Sequence, residues 1–302
     1  MLPVPLIQFD FNESLAQARE RNITDALRED IGLGDHTAQL VPNGVSTARL
    51  LVREQAVLCG RDWFEGCMRR LDSSASLAWK FEEGDEMPAN AVVCEMRLGS
   101  RALLTAERPA MNFLQTLSAV ATSTRAHVRA IAGASPNPRG CAVLDTRKTL
   151  PGLRQAQKYA VRIGGGANQR MALWNGILIK ENHIAAAGGI AAALNAAHAL
   201  NAGVTIQIEV ESLDELREAL NAGATSILID NFSLAQMQEA VAIAAAHAKA
   251  MGGEAALLEA SGGLGLAELR SVAATGVDRI SVGRLTKDVK AVDYSLRVTA
   301  SE

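Results

Sequence analysis

The chain has 302 residues, of which 48% are hydrophobic and 21% charged, a composition typical of a globular protein with one or two domains. Its 30 basic and 33 acidic residues leave a net charge of -3, which gives no overall attraction to nucleic acid or to an anionic membrane. No segment reaches 18 uninterrupted apolar residues, and the first ten residues lack the pattern of a secretory signal. We therefore expect a cytoplasmic protein that binds neither nucleic acid nor membrane, with any anion-binding site confined to a local cluster.

The first third of the chain mixes two kinds of pattern. Apolar residues at helical spacing predict helices at 13–28, 63–71 and 104–130. Runs rich in β-formers predict strands at 48–57 and 91–97. This part is typical of an α+β domain that ends in a long helix.

From Cys141 onward the pattern becomes regular. Six short β-rich runs, at 142–144, 177–179, 205–208, 226–229, 256–258 and 279–282, alternate with helical segments. Ser212 and Ser233 fit the capping box at helix starts, and glycines that suit helix ends follow at Gly203, Gly223, Gly253 and Gly276. This alternation predicts a parallel sheet covered by helices, either an open doubly wound sheet or a barrel.

Each of the six runs is followed by polar, charged or glycine residues. These are residues 145–148, 180–183, Glu209, residues 230–231, residues 261–263 and residues 283–284. The carboxyl ends of parallel strands meet at one face, and in α/β barrels this face holds the active site. We interpret the six segments as one site.

The charges at this site indicate the ligand. Four cations, Arg147, Lys148, Arg170 and Lys180, are joined by Arg108 from the first half of the chain. Clustered cations repel one another, so such a pocket is favourable only when an anionic ligand fills it. The guanidinium group matches carboxylate or phosphate geometry.

Carboxylates and glycines complete the set. Glu209 and Asp230 suit ribose hydroxyls or a hydrated Mg²⁺ ion, which prefers oxygen ligands. The two glycine-containing segments after the fifth and sixth runs allow backbone N–H groups to approach a phosphate. Polyanion, sugar and phosphate together describe a phosphoribosyl ligand.

Other catalytic patterns are absent. Three glycines at 164–166 lack the dinucleotide-binding spacing, and we expect them to form a flexible loop beside the site. His183 lacks the arrangement of a zinc-binding helix, so we expect a structural hydrogen bond. No serine nucleophile elbow and no Walker loop occurs. The four cysteines show no metal-ligand spacing and are expected to be reduced structural thiols.

Several motifs resemble those of the quinolinate phosphoribosyltransferase family. They are DTRKTLPGLR at 145–154, KENHI at 180–184, ERPAMNFLQTLS at 107–118, GGGAN at 164–168 and GVDRISVG at 276–283. The segment EDIGLGD at 29–35 is also similar. These segments span nearly the whole chain in order, and the first two are specific to the family.

The resemblance implies a two-part α/β fold. An N-terminal α/β sandwich domain, residues 1–118, is completed by the tail 287–302, and residues 119–286 form an incomplete α/β (TIM-like) barrel that carries out phosphoribosyl transfer. It also implies a homodimer, or a larger assembly of dimers, with shared active sites. In each site the Arg108 side chain would come from the neighbouring subunit.

The implied reaction joins quinolinate to phosphoribosyl pyrophosphate with Mg²⁺, and forms nicotinate mononucleotide for NAD biosynthesis. By position, Arg147, Lys148 and Arg170 would hold the quinolinate carboxylates, and Lys180 would lie at the reacting centre. Glu209 and Asp230 would hold the ribose or the metal. The substrate-binding set also includes Thr146 and Gln169, and its phosphate loops are Ser261, Gly262 and Gly263, and Val282, Gly283 and Arg284. The catalytic set is Lys148, Lys180, Glu209 and Asp230.

Some positions depart from the family pattern. Gln169 stands where the family has a histidine expected to contact a carboxylate, so we expect weaker quinolinate binding without loss of activity. Asn175 replaces an acid, Ala172 a glycine, and Pro109 a threonine. Two alternatives therefore stay open: a relative of the same fold that acts on another carboxylated ring or serves molybdenum metabolism, and a non-catalytic metabolite-binding protein.

Overall fold

The computed structural model describes residues 13–301. Residues 1–12 of the predicted N-terminal domain and Glu302 of the predicted tail lie outside this range. Within it, the chain divides into an antiparallel region, built from the first hundred residues and the last strand, and a parallel βα region between them.

The antiparallel region holds three helices and six strands. They are α1 (Leu15–Ile31), β1 (Val45–Val52), β2 (Ala56–Val57), α2 (Arg61–Leu71), β3 (Ser76–Trp79), β4 (Glu86–Met87), β5 (Val92–Gly99), α3 (Ser100–Ile131) and, at the end of the chain, β12 (Tyr294–Ser301). A short 3-10 helix (Ala38–Leu40) follows α1. Four strands form one sheet in the order β12-β1-β5-β3, and β2 pairs with β4. The C-terminal strand β12 thus runs antiparallel to β1 at the sheet edge.

The parallel region alternates strands with helices. Its elements are β6 (Ala142–Leu144), α4 (Arg154–Ile163), β7 (Ile177–Ile179), α5 (Glu181–Ala187), α6 (Ile190–Ala199), β8 (Ile206–Val210), α7 (Leu213–Asn221), β9 (Ser226–Asp230), α8 (Leu234–Met251), β10 (Leu257–Ser261), α9 (Leu269–Ala273), β11 (Arg279–Ser281) and α10 (Arg284–Lys287). All six predicted runs after Cys141 are strands, with ends shifted by up to three residues.

The six parallel strands form an incomplete barrel. Their order is β6-β11-β10-β9-β8-β7, and a single parallel bridge joins Leu144 of β6 to Ala167. No strand of the described chain pairs with the free edge of β7. Outward-facing residues of these strands, such as Ile208 and Ile229, are fully buried beneath the helices. The predicted fold class, an α/β sandwich domain with an incomplete α/β barrel, is therefore confirmed.

Several local predictions need correction. The predicted strand at 48–57 is two elements, β1 and β2, because the polar residues Arg53 to Gln55 leave the sheet between them. The helix predicted at 104–130 begins at Ser100 and includes Pro109 in its interior. Helix α8 ends at Gly252, which adopts φ +69°, rather than at Gly253.

The capping predictions are confirmed in part. Ser233 forms the full capping box with Gln236. The Ser212 side chain accepts a hydrogen bond from the backbone N–H of Glu215, but the Glu215 carboxylate accepts the backbone N–H of Glu211 instead of completing the box.

The glycine triplet is packed and does not form a flexible loop. A Cβ atom at Gly164 would lie 2.5 Å from the Ala121 carbonyl oxygen and 2.5 Å from Thr124 Cβ. A Cβ atom at Gly166 would lie 2.8 Å from Thr124 Cγ2. The triplet therefore allows the end of α4 to approach α3 closely.

No helix within residues 13–301 combines the length and the apolar composition needed to cross a membrane. The core is continuous from the antiparallel region into the barrel. Long helix α3 contributes Leu103, Leu114 and Leu117 to it, each almost fully buried.

Candidate active site

The carboxyl ends of the six parallel strands bring the predicted segments to one face. In strand order, the face carries Thr146 to Lys148 after β6, Gly283 after β11, Ser261 at the end of β10, Asp230 at the end of β9, Glu209 in β8 and Lys180 after β7. Asp230 pairs in register with Ser261. The predicted residues are thus neighbours around an open arc, as the alternation of strands and helices requires.

A buried ion pair anchors the arc at β6. Asp145 and Lys158 are both fully buried, and the Lys158 ammonium donates to the Asp145 carboxylate. Asp145 Oδ1 also accepts the backbone N–H of Gln169 at 3.0 Å, and Lys158 Nζ donates to the Gln169 carbonyl at 2.9 Å. Burial opposes both charged forms, so it raises the pKa of Asp145 and lowers the pKa of Lys158. The pair fixes the backbone on both sides of residue 169.

Three arginines gather beside this anchor without a carboxylate to neutralise them. Arg147, Arg154 and Arg170 form no ion pair with any residue in 13–301, and the buried Nε atoms of Arg147 and Arg170 have no acceptor there. Burial, and after it the positive charge of Arg147, lowers the pKa of both Arg154 and Arg170. Groups that repel one another and lack acceptors favour an anionic ligand.

The Gln169 side chain joins a second buried network. Its Nε2 atom donates to Gln207 Oε1 at 2.9 Å, and Gln207 Nε2 donates to Glu259 Oε2 at 2.9 Å. Gln207 and Glu259 are 7% and 1% exposed. Burial raises the pKa of the Glu259 carboxyl, and its Oε1 atom has no hydrogen-bond partner in the described chain.

Lys180 is paired within the site. Its Nζ atom lies 2.7 Å from Glu209 Oε2, while the lysine side chain stays 43% exposed. Next along the arc, the Asp230 carboxylate accepts a hydrogen bond from the Asn231 side chain at 2.7 Å. His183 Nδ1 accepts the backbone N–H of Lys180 at 3.0 Å, which confirms its predicted structural hydrogen bond.

The glycine segments supply free backbone donors. Within residues 13–301, the N–H groups of Gly262, Gly263, Gly283 and Arg284 have no hydrogen-bond acceptor. The Val282 N–H is used by the Leu144 carbonyl at 2.9 Å, so Val282 offers no donor to a ligand. Free N–H groups on adjacent loops form a suitable site for a phosphate.

Close packing sets the shape of these loops. Gly262 has φ +116°, and a Cβ atom there would lie 2.8 Å from the Asn231 backbone nitrogen. A Cβ atom at Gly283 would lie 3.2 Å from Lys148 Cδ. The phosphate segments are therefore in contact with both the Asp230 loop and the Lys148 loop.

Two predicted residues extend away from the open face. Gln169 and Arg170 line a cavity of about 860 Å³ that also reaches Gln207 and the amino ends of β8 to β11. Arg170 Nη1 donates to the Gly176 carbonyl at 2.9 Å. Of the three clustered arginines, Arg170 alone lines this cavity.

No hydrogen bond or ion pair joins Arg108 to the other predicted site residues within residues 13–301. It lies exposed on α3. Its charge acts on neighbouring Glu107, whose pKa is nevertheless raised because burial outweighs the attraction of Arg108.

The carboxylates can hold a metal only with help from a ligand. The described residues contain no group of three or more His, Cys, Asp or Glu side chains arranged for a metal ion. Mg²⁺ commonly takes one or two carboxylates together with substrate phosphates and water. Glu209 and Asp230 fit this donor set when a phosphorylated substrate supplies the remaining oxygens.

The sequence placed Asp145 in the site segment 145–148, but four further residues that build the site were missed: Arg154, Lys158, Gln207 and Glu259. Charged or amide residues inside short buried strands are a usable signal for the last two, since a buried polar group needs a partner. Lys158 carries no comparable local signal, because its partner Asp145 lies 13 residues earlier.

Comparison with known proteins decides the family. The family model described as quinolinate phosphoribosyl transferase, C-terminal domain, matches residues 120–297, and that of the N-terminal domain matches residues 35–118. The chain belongs to the quinolinate phosphoribosyltransferase family. The resemblance stated from the sequence motifs is thereby confirmed.

Individual members of the family agree in sequence and structure. A probable nicotinate-nucleotide pyrophosphorylase (carboxylating) of Bacillus subtilis is 38% identical over 90% of this chain and 91% of its own length. The human nicotinate-nucleotide pyrophosphorylase (carboxylating) is 35% identical over 91% of this chain and 90% of its own length. The solved structure of the nicotinate-nucleotide pyrophosphorylase from Francisella tularensis is 40% identical, covers 97% of this chain and 100% of its own, and superposes with a TM-score of 0.87.

Proposed function

We propose that this chain transfers the phosphoribosyl group of phosphoribosyl pyrophosphate to quinolinate, releasing pyrophosphate and CO₂ and forming nicotinate mononucleotide for NAD biosynthesis. The observation that carries the proposal is the cluster of Arg147, Arg154 and Arg170, which has no neutralising carboxylate in the described chain and lies beside free backbone donors. The family relationship supports the same substrates.

The arginine cluster would bind the two ring carboxylates. Arg147 and Arg170 would donate from guanidinium groups whose Nε atoms now lack acceptors, and Lys148 would add a mobile charge from the exposed side. Filling the cluster with a dianion removes the mutual repulsion of the arginines. Gln169 would contribute an uncharged hydrogen bond.

Phosphoribosyl pyrophosphate would lie along the open face. The free N–H groups of Gly262, Gly263 and Gly283 would hold the 5′-phosphate, with Ser261 and Arg284 beside them. Glu209 and Asp230 would accept hydrogen bonds from the ribose hydroxyls. The same two carboxylates, with the pyrophosphate oxygens, would hold Mg²⁺, which neutralises phosphate charge when bound.

With both substrates held in this way, the reaction would proceed in two steps, transfer of the phosphoribosyl group and loss of CO₂. The bond between the ribose C1 atom and pyrophosphate breaks, and the ring nitrogen of quinolinate forms the new bond to that carbon. Lys180 would stabilise negative charge on the departing pyrophosphate, and its bond to Glu209 holds it in place. The carboxyl group next to the ring nitrogen leaves as CO₂. Its bonding electrons stay with the now cationic ring, and a proton from solvent completes the product.

We also propose that the active sites are shared in a homodimer or a larger assembly of dimers. Arg108 is exposed and its side chain makes no hydrogen bond or ion pair within residues 13–301, yet it belongs to a motif of the family. A neighbouring subunit would place it against a quinolinate carboxylate. A cytoplasmic location remains our prediction; the four cysteines, all free thiols, are compatible with it.

A relative with another acceptor ring is the second candidate, and Gln169 is the observation that favours it. An amide offers both a donor and an acceptor, whereas the family histidine could be cationic. Neither the alternative in molybdenum metabolism nor a non-catalytic role has a supporting contact in the structure.

Product identity tests the proposal. The protein is incubated with phosphoribosyl pyrophosphate, Mg²⁺ and quinolinate, and the nucleotide formed is weighed by mass spectrometry. We expect nicotinate mononucleotide and an equal amount of CO₂. A nucleotide that keeps both carboxylates, or no nucleotide from folded protein, would contradict the proposal.

A further inference from the structure

The side chain of Gln169 is the terminal member of a chain of hydrogen bonds that starts inside the barrel. Glu259 lies in the middle of β10 and is 1% exposed, and Gln207 lies in β8 and is 7% exposed. Two hydrogen bonds of 2.9 Å join Glu259 to Gln207 and Gln207 to Gln169. Gln169, Gln207 and Arg170, one of the three clustered arginines, also line the same cavity.

The direction of this chain is set by its buried end. The Glu259 Oε2 atom accepts, so the Gln207 amide must turn its NH₂ group towards Glu259 and its oxygen towards Gln169. Gln169 must then turn its own NH₂ group towards Gln207. One N–H and the Oε1 atom of Gln169 remain available to a ligand. Their orientation is set by Gln207 and Glu259.

The backbone of Gln169 is held as firmly as its side chain. Its N–H donates to Asp145 and its carbonyl accepts from Lys158, and both partners are fully buried. Fixed side chains at a binding site lose little conformational entropy when a ligand binds. A residue fixed at backbone and side chain discriminates between ligands, because a mismatched group finds no alternative partner.

We propose that Glu259, acting through Gln207, is a positioning residue that orients the Gln169 amide and so sets the selectivity of the site for its carboxylated acceptor ring. This inference rests on the proposed function. It adds two residues that touch neither substrate, and it assigns the unusual glutamine to recognition of the acceptor ring.

The first test replaces Gln207, which joins Glu259 to Gln169. Gln207→Met keeps the length and approximate volume of the side chain but removes its hydrogen bonds. We expect the KM for quinolinate to rise about 5- to 10-fold while the KM for phosphoribosyl pyrophosphate stays within about twofold, the size expected when one neutral hydrogen bond is lost. Gln238→Met, the same exchange on the exposed face of α8, is the matched control and should change neither constant.

A double-mutant cycle separates positioning from general damage. In a Gln169→Met background, Gln207→Met should raise the KM for quinolinate no further, because the residue being oriented is gone. Independent effects that multiply, or equal increases in both KM values, would overturn the proposal.

The buried end provides the second test. Glu259→Gln keeps an acceptor for Gln207 and should leave the KM for quinolinate within about twofold of wild type, whereas Glu259→Met, which has no comparable acceptor, should match Gln207→Met. An unchanged KM in Glu259→Met, or equal damage by both variants, would overturn the proposal.

Two further measurements keep the result interpretable if a variant does not fold or if the wild-type protein is inactive. If a single methionine variant fails to fold, Gln207→Met with Glu259→Met leaves no buried group unpaired and should show the same raised KM; a wild-type KM there would also overturn the proposal. Binding of quinolinate to the wild-type protein, measured by calorimetry together with activity, distinguishes failure of the proposed function from failure of the positioning role. Wild-type protein that neither binds nor converts quinolinate would refute the proposed function itself, whereas normal wild-type activity with unaffected variants would refute the positioning role alone.

Discussion

At the scale of single residues, the site is defined by charges that lack partners. Arg147 and Arg170 bury their Nε atoms without an acceptor in the described chain, although burying such a group is costly unless it is paired. Other arginines form ion pairs, for example Arg125 with Glu86 at 3.1 Å. These two Nε atoms therefore stay available to a ligand, as the proposed carboxylate site requires.

The first prediction concerns Arg147. Arg147→Ala should reduce kcat/KM for quinolinate about 10- to 100-fold, because a hydrogen bond to a charged group is worth about 1.5–3 kcal/mol. Its stability should be close to wild type, since the Nε atom makes no bond in the folded chain. Steady-state kinetics and urea denaturation measure the two effects, and the exposed Arg217→Ala serves as the control. Wild-type kinetics in Arg147→Ala would refute the carboxylate site.

The second prediction concerns pH and Glu259. Burial raises the pKa of Glu259 from 4.5, so the folded chain keeps a proton that the unfolded chain has already released. The free energy of unfolding contributed by this group is therefore highest at low pH and falls as the pH rises from about 4.5 through the raised pKa.

Glu259→Gln has no proton to release and should lose this part of the pH dependence. The variant should gain stability over the wild type progressively across that window, and the difference should become constant above it. Urea denaturation of both proteins from pH 4 to pH 8 measures the difference. Curves that stay parallel throughout would show that Glu259 does not titrate as we infer.

At the scale of elements, packing against α3 positions the substrate segments. Helix α4 ends where Gly164 meets the backbone of α3, and the chain then turns into the segment that carries Gln169 and Arg170. The Asp145–Lys158 pair ties α4 to the end of β6 at the same place. A contact between two helices thus helps to fix residues that would bind the ring.

Gly164→Ala tests this contact. Its Cβ atom would lie 2.5 Å from Ala121 O, which is backbone and cannot move aside easily, so we expect a loss of about 1–3 kcal/mol in the free energy of unfolding. Gly253→Ala is the matched control, because no atom lies within 4 Å of its Cβ position. Equal stabilities by urea denaturation would contradict the proposed packing role.

The repeated βα pattern was the most predictable part of the structure. Strands β6 to β11 follow from short apolar runs, and their polar carboxyl ends identify one face as the site. The strand predicted at 48–57 missed the split between β1 and β2, although the polar residues Arg53 to Gln55 interrupt its apolar pattern.

The hydrogen-bond networks of buried polar residues could not be predicted from local sequence patterns. Gln169 and Gln207 are 38 residues apart, and Gln207 and Glu259 are 52 apart. Only the folded barrel brings such pairs together. The packing role of the glycines at 164–166 likewise depends on α3, which is distant in sequence.

At the scale of the whole molecule, we propose that a second copy brings its exposed Arg108 to the site of this chain. The division at residues 118 and 119 stays a prediction, since α3 runs through it without interruption. The homodimer and the shared site are likewise our proposals.

Subunit mixing tests the shared site. Arg108→Ala and Lys148→Ala subunits should each be nearly inactive alone. Each mixed dimer should regain up to about half of the wild-type activity, since one of its two shared sites then has both groups. Activity is measured after exchange, with dimer composition verified by mass spectrometry. Confirmed mixed dimers without recovered activity would contradict the arrangement.

The most direct test of the central claim is the rate of pyrophosphate release from phosphoribosyl pyrophosphate and Mg²⁺, compared with quinolinate and with nicotinate as acceptor. The arginine cluster is suited to two carboxylates, so we predict rapid release with quinolinate and little with nicotinate. Release that is equally fast with both, or absent with both from folded protein, would contradict the assignment of quinolinate as the acceptor.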